Sequence, residues 1–382
     1  MLYRRMPGTG ERVSVLGFGA MRLPLLDEKD PGSIDRPEAI AMIRRAVDGG
    51  VNVVDTAWPY HGGESERLVG EALKGGYREK VFLSTKLPTY EVEKHEDMDR
   101  FLDEQRKRLQ SETIDFYLLH ALNRERWARM QEHGFASFLE RALEAGTIRH
   151  AGFSFHADRE IFKEIVDAYD WSFCLIMYNL LDEHFQAGRE GMLHAAEKGL
   201  GIMVMEPLRG GRLAGEVPDP VQRIWDEADV RRSPAAWGLR WVWDHPEVSV
   251  ALSGMSTMAQ VEENLRVASE GRAGSLTEAE RSLAARVKAE YRKRIRVDCT
   301  TCGYCLPCPE GVNITGCFSF LNNAFLFDAM ERYRDFYRQV VPDAERASRC
   351  VECGSCEEAC PQGIPIREKL KEVAEHFEAE GE

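Results

Sequence analysis

Over the first two thirds of the 382-residue chain, short apolar runs rich in β-branched residues alternate with stretches whose apolar positions recur every three to four residues. The short runs fall at 13–21, 51–54, 80–85, 114–119, 148–153, 173–178, 201–205 and 248–252. The helical stretches fall at 37–48, 65–74, 97–109, 136–145, 158–168, 190–198, 234–244 and 258–268. Eight strands alternating with helices over about 250 residues is the count of an α/β chain closed as a (β/α)8 TIM barrel. A doubly wound sheet is the competing arrangement. It usually has fewer strands and a glycine-rich turn after the first, whereas Gly17-Phe18-Gly19 has no third glycine at the fingerprint spacing and no helix start directly after it. The pattern changes beyond residue 270. A Gly-containing junction at 271–276 leads into a charged helical stretch at 277–294, and two further helical patterns follow at 318–341 and 366–380. The expected organisation is a barrel over 1–270, a linker with a connecting helix over 271–298, and a small, mostly helical domain over 299–382.

Composition changes the picture most in that last domain, which holds nine of the ten cysteines. They read Cys299-x2-Cys302-x2-Cys305-x2-Cys308-Pro and Cys350-x2-Cys353-x2-Cys356-x3-Cys360-Pro, with Cys317 between the runs. The second run has the spacing that lets thiolates reach the iron corners of a cubane, and the first is a copy one residue shorter. Zinc is the competing ligand. It takes four donors, and would not need a third cysteine at the same spacing and a fourth before proline. Disulfides fit less well, since the chain has no segment resembling a secretory signal. On the pattern of two-cluster ferredoxins, in which the fourth cysteine of one run serves the other run's cluster, Cys299, Cys302, Cys305 and Cys360 would hold one [4Fe-4S] cluster. Cys350, Cys353, Cys356 and Cys308 would hold the second. The helix-rich surroundings resemble the alpha-helical ferredoxin modules of larger redox enzymes. A formal net charge of −14 argues against nucleic acid and anionic membrane surfaces. No apolar run approaches the roughly 18 residues that span a bilayer, and thiolate ligands need a reducing compartment, so the expectation is a cytoplasmic protein.

Barrel chemistry gathers at the carboxyl ends of the strands. The second apolar run ends in Asp55, with Tyr60 five residues on; the third ends in Lys86 and the fourth in His120. Singly, each has an ordinary explanation: a cap, a rim aromatic, a snorkelling lysine, a satisfied core histidine. At three consecutive strand ends they point to chemistry together. Trp58, Tyr60, His61, Trp127 and His156 are further rim candidates. Residues 122–135, with Arg124, Arg126 and Arg129, read as the loop after the His120 strand, where substrate contacts often arise. Cys174, in an apolar strand-like run, reads as a core thiol.

The constellation resembles the aldo-keto reductase tetrad. The resemblance extends from Leu16 to about Ala268 through GFGAMR at 17–22, DTAWPYHGGESERLVGEAL at 55–73, GFSFH at 152–156, MEPLRGG at 205–211 and SGMSTMAQVEEN at 253–264. With the cysteine runs attached, it is closest to the branch of that family carrying a C-terminal iron–sulfur module. It implies an oxidoreductase acting on a small carbonyl or alcohol with NADP or NAD, and possibly a redox partner protein. A phenol, ordinarily near pKa 10, donates poorly at pH 7 unless its anion is stabilised. Tyr60 is accordingly expected as general acid, Lys86 as the group lowering its pKa, Asp55 as the lysine's partner, and His120 as hydrogen-bond donor to the substrate oxygen. Dinucleotide contacts are expected from Ser154, from Arg209, Gly210 and Gly211, from Ser253, Gly254, Met255 and Ser256, and from Gln260, Glu263 and Asn264. The chain also departs from the family at this cofactor. Phe155 and Leu175 stand where an asparagine and a glutamine often hold the carboxamide, and Met205 where an aromatic often stacks. Gly254 and Gln260 stand where basic residues often meet a 2′-phosphate, and neither can pair with one.

Overall fold

The computed structural model describes residues 1–215, 217–301 and 303–379. They form two compact units, one of 1–215 with 232–277, the other of 217–231 with 278–379.

The first unit opens with an antiparallel hairpin of β1 (Tyr3–Arg5) and β2 (Arg12–Ser14). The barrel follows: β3 (Leu16–Gly19), β4 (Val53–Asp55), β5 (Phe82–Leu87), β6 (Ile114–Leu122), β7 (Ile148–Phe155), β8 (Phe173–Met177), β9 (Gly201–Met205) and β10 (Val248–Ser253). Every neighbouring pair is parallel, and β10 returns to β3 with Ala251 opposite Leu16, so the sheet closes. The run at 13–21 is therefore two strands, because the chain first pairs back on Tyr3–Arg5 and only then enters the barrel. Val53, Phe116, Leu118, Phe173, Leu175, Met203, Val250 and Leu252 fill the interior. Met6, from the hairpin turn, plugs the amino end: it packs against Gly201, the first residue of β9, so closely that a Cβ there would lie 2.5 Å from its side chain. One end is thus sealed by apolar packing, and the carboxyl ends of the strands are left to carry chemistry.

Around the barrel run α1 (Arg36–Asp48), α2 (Ser65–Ala72), α3 (His95–Leu109), α4 (Arg124–Glu132), α5 (Phe135–Glu144), α6 (Arg159–Ala168) and α7 (Gly188–Glu197). After α8 (Asp219–Trp225), which belongs to the second unit, α9 (Pro234–Asp244) and α10 (Met258–Ala268) complete the ring. Their starts follow capping chemistry: the side chains of Asp35, Asp158, Ser233 and Thr257 each accept an N–H of the first turn. The stretch after the His120 strand differs from the expected loop. Asn123 caps it by accepting the Arg126 N–H at 2.8 Å, and α4 forms over Arg124–Glu132.

In the second unit, α11 (Glu278–Arg292) joins α8 through the Arg286–Glu227 pair, with one N···O distance of 2.7 Å. Next come α12 (Ile314–Leu326), α13 (Met330–Val340), the short α14 (Ser355–Glu358) and α15 (Ile366–Phe377). The single helical pattern at 318–341 is broken in two because Asp328 adopts a left-handed conformation (φ 47°) that an aspartate tolerates. Arg294 holds the break by donating to the Asp328 carboxylate and the Phe325 carbonyl. Val297, Ile314, Phe318, Leu321, Tyr333, Tyr337, Leu370, Val373 and Phe377 make a small separate core. No helix among the described residues is long and apolar enough to cross a membrane.

Candidate active site and cysteine module

Three adjacent strands bring the tetrad together. Lys86, at the end of β5, points its ammonium at Asp55, the last residue of β4; Nζ donates to Oδ2 at 2.7 Å and to the Thr56 carbonyl at 2.7 Å. The side of Asp55 away from the lysine accepts Ser84 Oγ at 2.7 Å. Lys86 is 1% exposed and Asp55 3%, so the pair is held by full hydrogen bonding in a place where either charge alone would be costly. Burial draws the lysine's pKa down, but the Asp55 carboxylate and then Tyr60 more than offset it, and the ammonium ends above its ordinary value.

Tyr60 sits on the turn after β4, where His61, Gly62 and Gly63 all take positive φ. The Lys86 ammonium lies 5.0 Å from the centroid of its ring. The net direction of the Tyr60 pKa is upward, although Lys86 acts on it in the expected, lowering sense. Burial is the largest cause, and the Lys86 charge opposes it without overturning it. The resting phenol therefore keeps its proton, and the lysine lowers the cost of losing it. The His120 ring stands edge-on to Tyr60, with centroids 6.2 Å apart. A bulge in β6 between Leu119 and Leu122, with Ala121 at φ 52°, sets it there. The bulge is held by Ser154, whose hydroxyl accepts the Ala121 N–H at 2.7 Å, and by Arg126, which donates to the Ala121 carbonyl at 2.9 Å. Burial first, then the Lys86 charge, pushes the His120 pKa well below its ordinary value. The ring is neutral at pH 7, and its Nδ1 is buried without a hydrogen-bond partner among the described residues.

Behind the tetrad lies a second polar layer. Glu66 of α2 is fully buried and accepts Thr85 Oγ1 and Gln105 Nε2, each at 2.7 Å. Gln105 of α3 also donates to the Lys86 carbonyl at 3.0 Å and accepts the Tyr117 hydroxyl at 2.8 Å. This network fixes the backbone that aims the lysine, and its sequence signal is only polar residues at otherwise apolar helix positions.

Tyr60, Asp55 and His120 line an open cavity of about 200 Å3. Gly210, Gly211, Ser253 and Gly254 share its wall; so do Arg22, His156, Leu175, Met205 and Glu206. Gly210 and Gly211 take φ 66° and 90°, a turn closed to most side chains. The other expected dinucleotide contacts are not brought to this wall. Ser154 is buried holding the β6 bulge, Arg209 is ion-paired to Asp182 at 3.0 Å, and Met255 is buried. Ser256 Oγ donates to the Arg22 carbonyl, Gln260 accepts the Ser256 N–H, and Asn264 donates to Ser253 Oγ. Glu263 faces Arg266 at 3.9 Å. The rim candidates also divide. His156 lines the cavity, whereas Trp127 is buried against Glu164, Trp58 packs on Phe101 under Arg108, and His61 bridges Leu23 and Pro31. Of the residues missed from sequence, Glu206 follows β9 directly and Arg22 lies three residues after the end of β3. Glu206 takes a positive φ of 52°, and the strand-end logic that found Asp55, Lys86 and His120 applies to it equally.

In the second unit, Cys299 and Cys305 of the first run and Cys360 of the second line one small cavity with Thr300, Gly303, Phe318 and Pro361. Cys302 lies outside the described residues. The Cys299 sulfur accepts the Thr301 N–H at 3.4 Å. Cys308, Cys350 and Cys356 pack part-buried against the unit's core, and Cys353 is exposed. Among the described residues no three donors are close enough to ligate a single ion. A cubane asks for less, because it presents separate iron corners to its sulfurs. Cys317 is buried with its sulfur 3.7 Å from the Tyr337 hydroxyl, and burial pushes its thiol up to about 12. Cys174 is likewise fully buried, in β8.

Comparison with known proteins places both units. The Aldo/keto reductase family model matches residues 15–273, and the 4Fe-4S dicluster domain model matches 298–364. The chain is 25% identical to the oxidoreductase YrpG of Bacillus subtilis over 315 residues, covering 70% of this chain and 90% of that protein. It is 25% identical to the L-galactose dehydrogenase of Arabidopsis thaliana over 289 residues, covering 70% and 88%. The holo form of the aldo-keto reductase AKR11C1 from Bacillus halodurans superposes with a TM-score of 0.63 at 24% identity, over 75% of this chain and 96% of that one, a likeness of fold. An eight-stranded parallel barrel with a lysine–aspartate pair at its open end, matched over 15–273, makes the chain a member of the aldo/keto reductase family, an oxidoreductase that carries a C-terminal 4Fe-4S dicluster domain.

Proposed function

We propose that the barrel interconverts a small carbonyl compound and its alcohol with a nicotinamide dinucleotide, and that Tyr60 moves the proton. The observation that carries this is the buried Lys86–Asp55 pair beside a protonated phenol on the wall of an open cavity. When bound, the nicotinamide supplies or takes the hydride. Tyr60 Oη gives its proton to the carbonyl oxygen in reduction and takes it back in oxidation, with the Lys86 ammonium stabilising the phenolate. Asp55 holds Lys86 charged and aimed, and the neutral His120 ring donates a hydrogen bond to the same oxygen. The Gly210–Gly211 turn and Gly254 leave room for phosphates. Leu175 and Phe155 offer no side-chain amide to a carboxamide, and Met205 offers no aromatic ring to stack on the nicotinamide.

The eight run cysteines fit two [4Fe-4S] clusters. The meeting of Cys299, Cys305 and Cys360 at one cavity supports the crossed ligand scheme. We assign the clusters an electron-carrying role toward a redox partner protein. A hydride carries two electrons and a cluster passes one, so direct wiring to the barrel needs a converter, and no flavin signature occurs in the sequence. The second reading, a module that is structural or docks a partner, follows from that mismatch. Anaerobic stopped-flow mixing of the cluster-loaded protein with reduced nicotinamide dinucleotide, with and without an aldehyde panel, tests both. Aldehyde-dependent cofactor oxidation without cluster bleaching is expected. Bleaching by the dinucleotide alone would establish direct wiring, and no oxidation with any carbonyl would overturn the proposed activity.

A further inference from the structure

The rim of the cavity carries a cation that the proposed function does not yet use. Arg22 follows β3 and lies across the open end toward the loops after β9 and β10. Its stem runs along Gly254: a Cβ added to that glycine would sit 3.2 Å from Arg22 Cβ and 3.3 Å from its Cγ and Cδ. Its guanidinium lies on the Gly210 turn, where a Cβ would meet Nη2 at 2.8 Å. The two glycines thus form a trough shaped for this side chain. Ser256 Oγ donates to the Arg22 carbonyl at 2.8 Å and fixes the backbone from which the side chain starts. Arg209, the basic residue of the Arg-Gly-Gly sequence itself, is already ion-paired to Asp182. Arg22 has no carboxylate partner among the described residues, although it lines the cavity and is exposed to it.

A guanidinium held over a positive-φ glycine turn, with no carboxylate partner among the described residues, is arranged for bidentate pairing with phosphate oxygens. Arg22 shares the cavity wall with Tyr60, so one extended ligand could meet both. We propose that Arg22 is the pyrophosphate-binding cation of the dinucleotide site, supplied across the rim to the glycine turn after β9. This rests on the nicotinamide reading above. It assigns Arg22 to the pyrophosphate rather than to a 2′-phosphate because the guanidinium lies against the turn after β9.

The test is equilibrium binding to the cluster-loaded protein, by tryptophan fluorescence or calorimetry, with NADH, NADPH and ADP-ribose as probes. Arg22→Ala should weaken all three by a similar factor of about 10 to 100, the loss of a charge-assisted bidentate contact. Arg22→Lys should recover part of it. Gly254→Ala, which displaces the stem without removing the charge, should weaken all three by a smaller factor. Circular dichroism checks that the exposed substitution leaves the fold intact. Unchanged binding in Arg22→Ala, with wild type binding normally, overturns this assignment alone. Weakening confined to NADPH moves Arg22 to the 2′-phosphate and overturns the pyrophosphate assignment. Wild type that binds none of the three overturns both this assignment and the nicotinamide reading.

Discussion

The two units hold their functional side chains in opposite ways. In the barrel, three members of the tetrad are fixed by protein before any ligand arrives: Lys86 by Asp55 and Thr56, Asp55 by Ser84, and His120 by a bulge that Ser154 and Arg126 hold. In the cysteine unit the described run cysteines stand part-buried at the edge of a small core, with Cys353 exposed. The barrel site is preorganised by its fold, and the cluster sites are completed by what they bind. The difference teaches where each unit is vulnerable: the barrel to the loss of a buried partner, the cysteine unit to the loss of metal.

The largest expected effect comes from breaking the barrel's buried pair. Lys86→Met leaves the Asp55 carboxylate without its cation and should cost about 3–5 kcal/mol in denaturant unfolding, along with carbonyl reduction. A loss under about 1 kcal/mol, the size of an exposed pair, would show that the site is not shielded as described. On the other side of the comparison, Cys360→Ser should lower the anaerobic iron content from about eight to about four per chain. The thermal transition of the barrel should stay in place; if both transitions fall together, the units are not held independently.

A smaller effect is set by pH. His61, His120, His150, His156 and His245 are all shifted below their ordinary value, with burial the leading cause in each. Unfolded, they titrate near pH 6.5, so their contribution to stability is complete above that and is lost as the pH falls from about 6.5 through the folded values. Each such histidine steepens the acid side by up to about 1.4 kcal/mol per pH unit. His120→Asn should flatten the slope measured between pH 6.5 and 5, and an unchanged slope would show that His120 is charged in the folded protein. Smallest is Thr85→Val, which removes one donor to Glu66. It should cost about 1 kcal/mol and leave cofactor affinity unchanged, while an affinity loss would place the Glu66 layer in direct contact with ligand.

Much of this was legible in the sequence, for identifiable reasons. The eight β-branched runs are long enough to mark buried parallel strands, and an ionisable residue ending such a run is conspicuous, so Asp55, Lys86 and His120 stood out. The cysteine runs declare themselves by spacing. Less visible were features that depend on backbone shape: the division of 13–21 into a hairpin arm and a barrel strand, the break at Asp328, and the helix that Asn123 starts where a loop was expected. Ser154 reads as a ligand contact, and sequence order hides the β6 bulge whose Ala121 N–H its hydroxyl accepts. Trp127 reads as a rim residue for the same reason, since the helix that buries it was not foreseen. Arg22 and Glu206 stand near strand ends like the tetrad, but each lies inside a family-like motif, 17–22 and 205–211, whose glycines draw the attention.

The central claim is that chemistry happens at the Tyr60 end of the barrel, with hydride from the nicotinamide and the proton from the phenol. It is tested most directly by a single-turnover reduction, in cluster-loaded protein, with cofactor deuterated at the transferring position. The account predicts that deuterium appears on the carbinol carbon of the product in wild type. In Tyr60→Phe the rate should fall by about 100- to 10,000-fold with dinucleotide affinity unchanged. Deuterium absent from the product, or a Tyr60→Phe rate within a few fold of wild type, would contradict it.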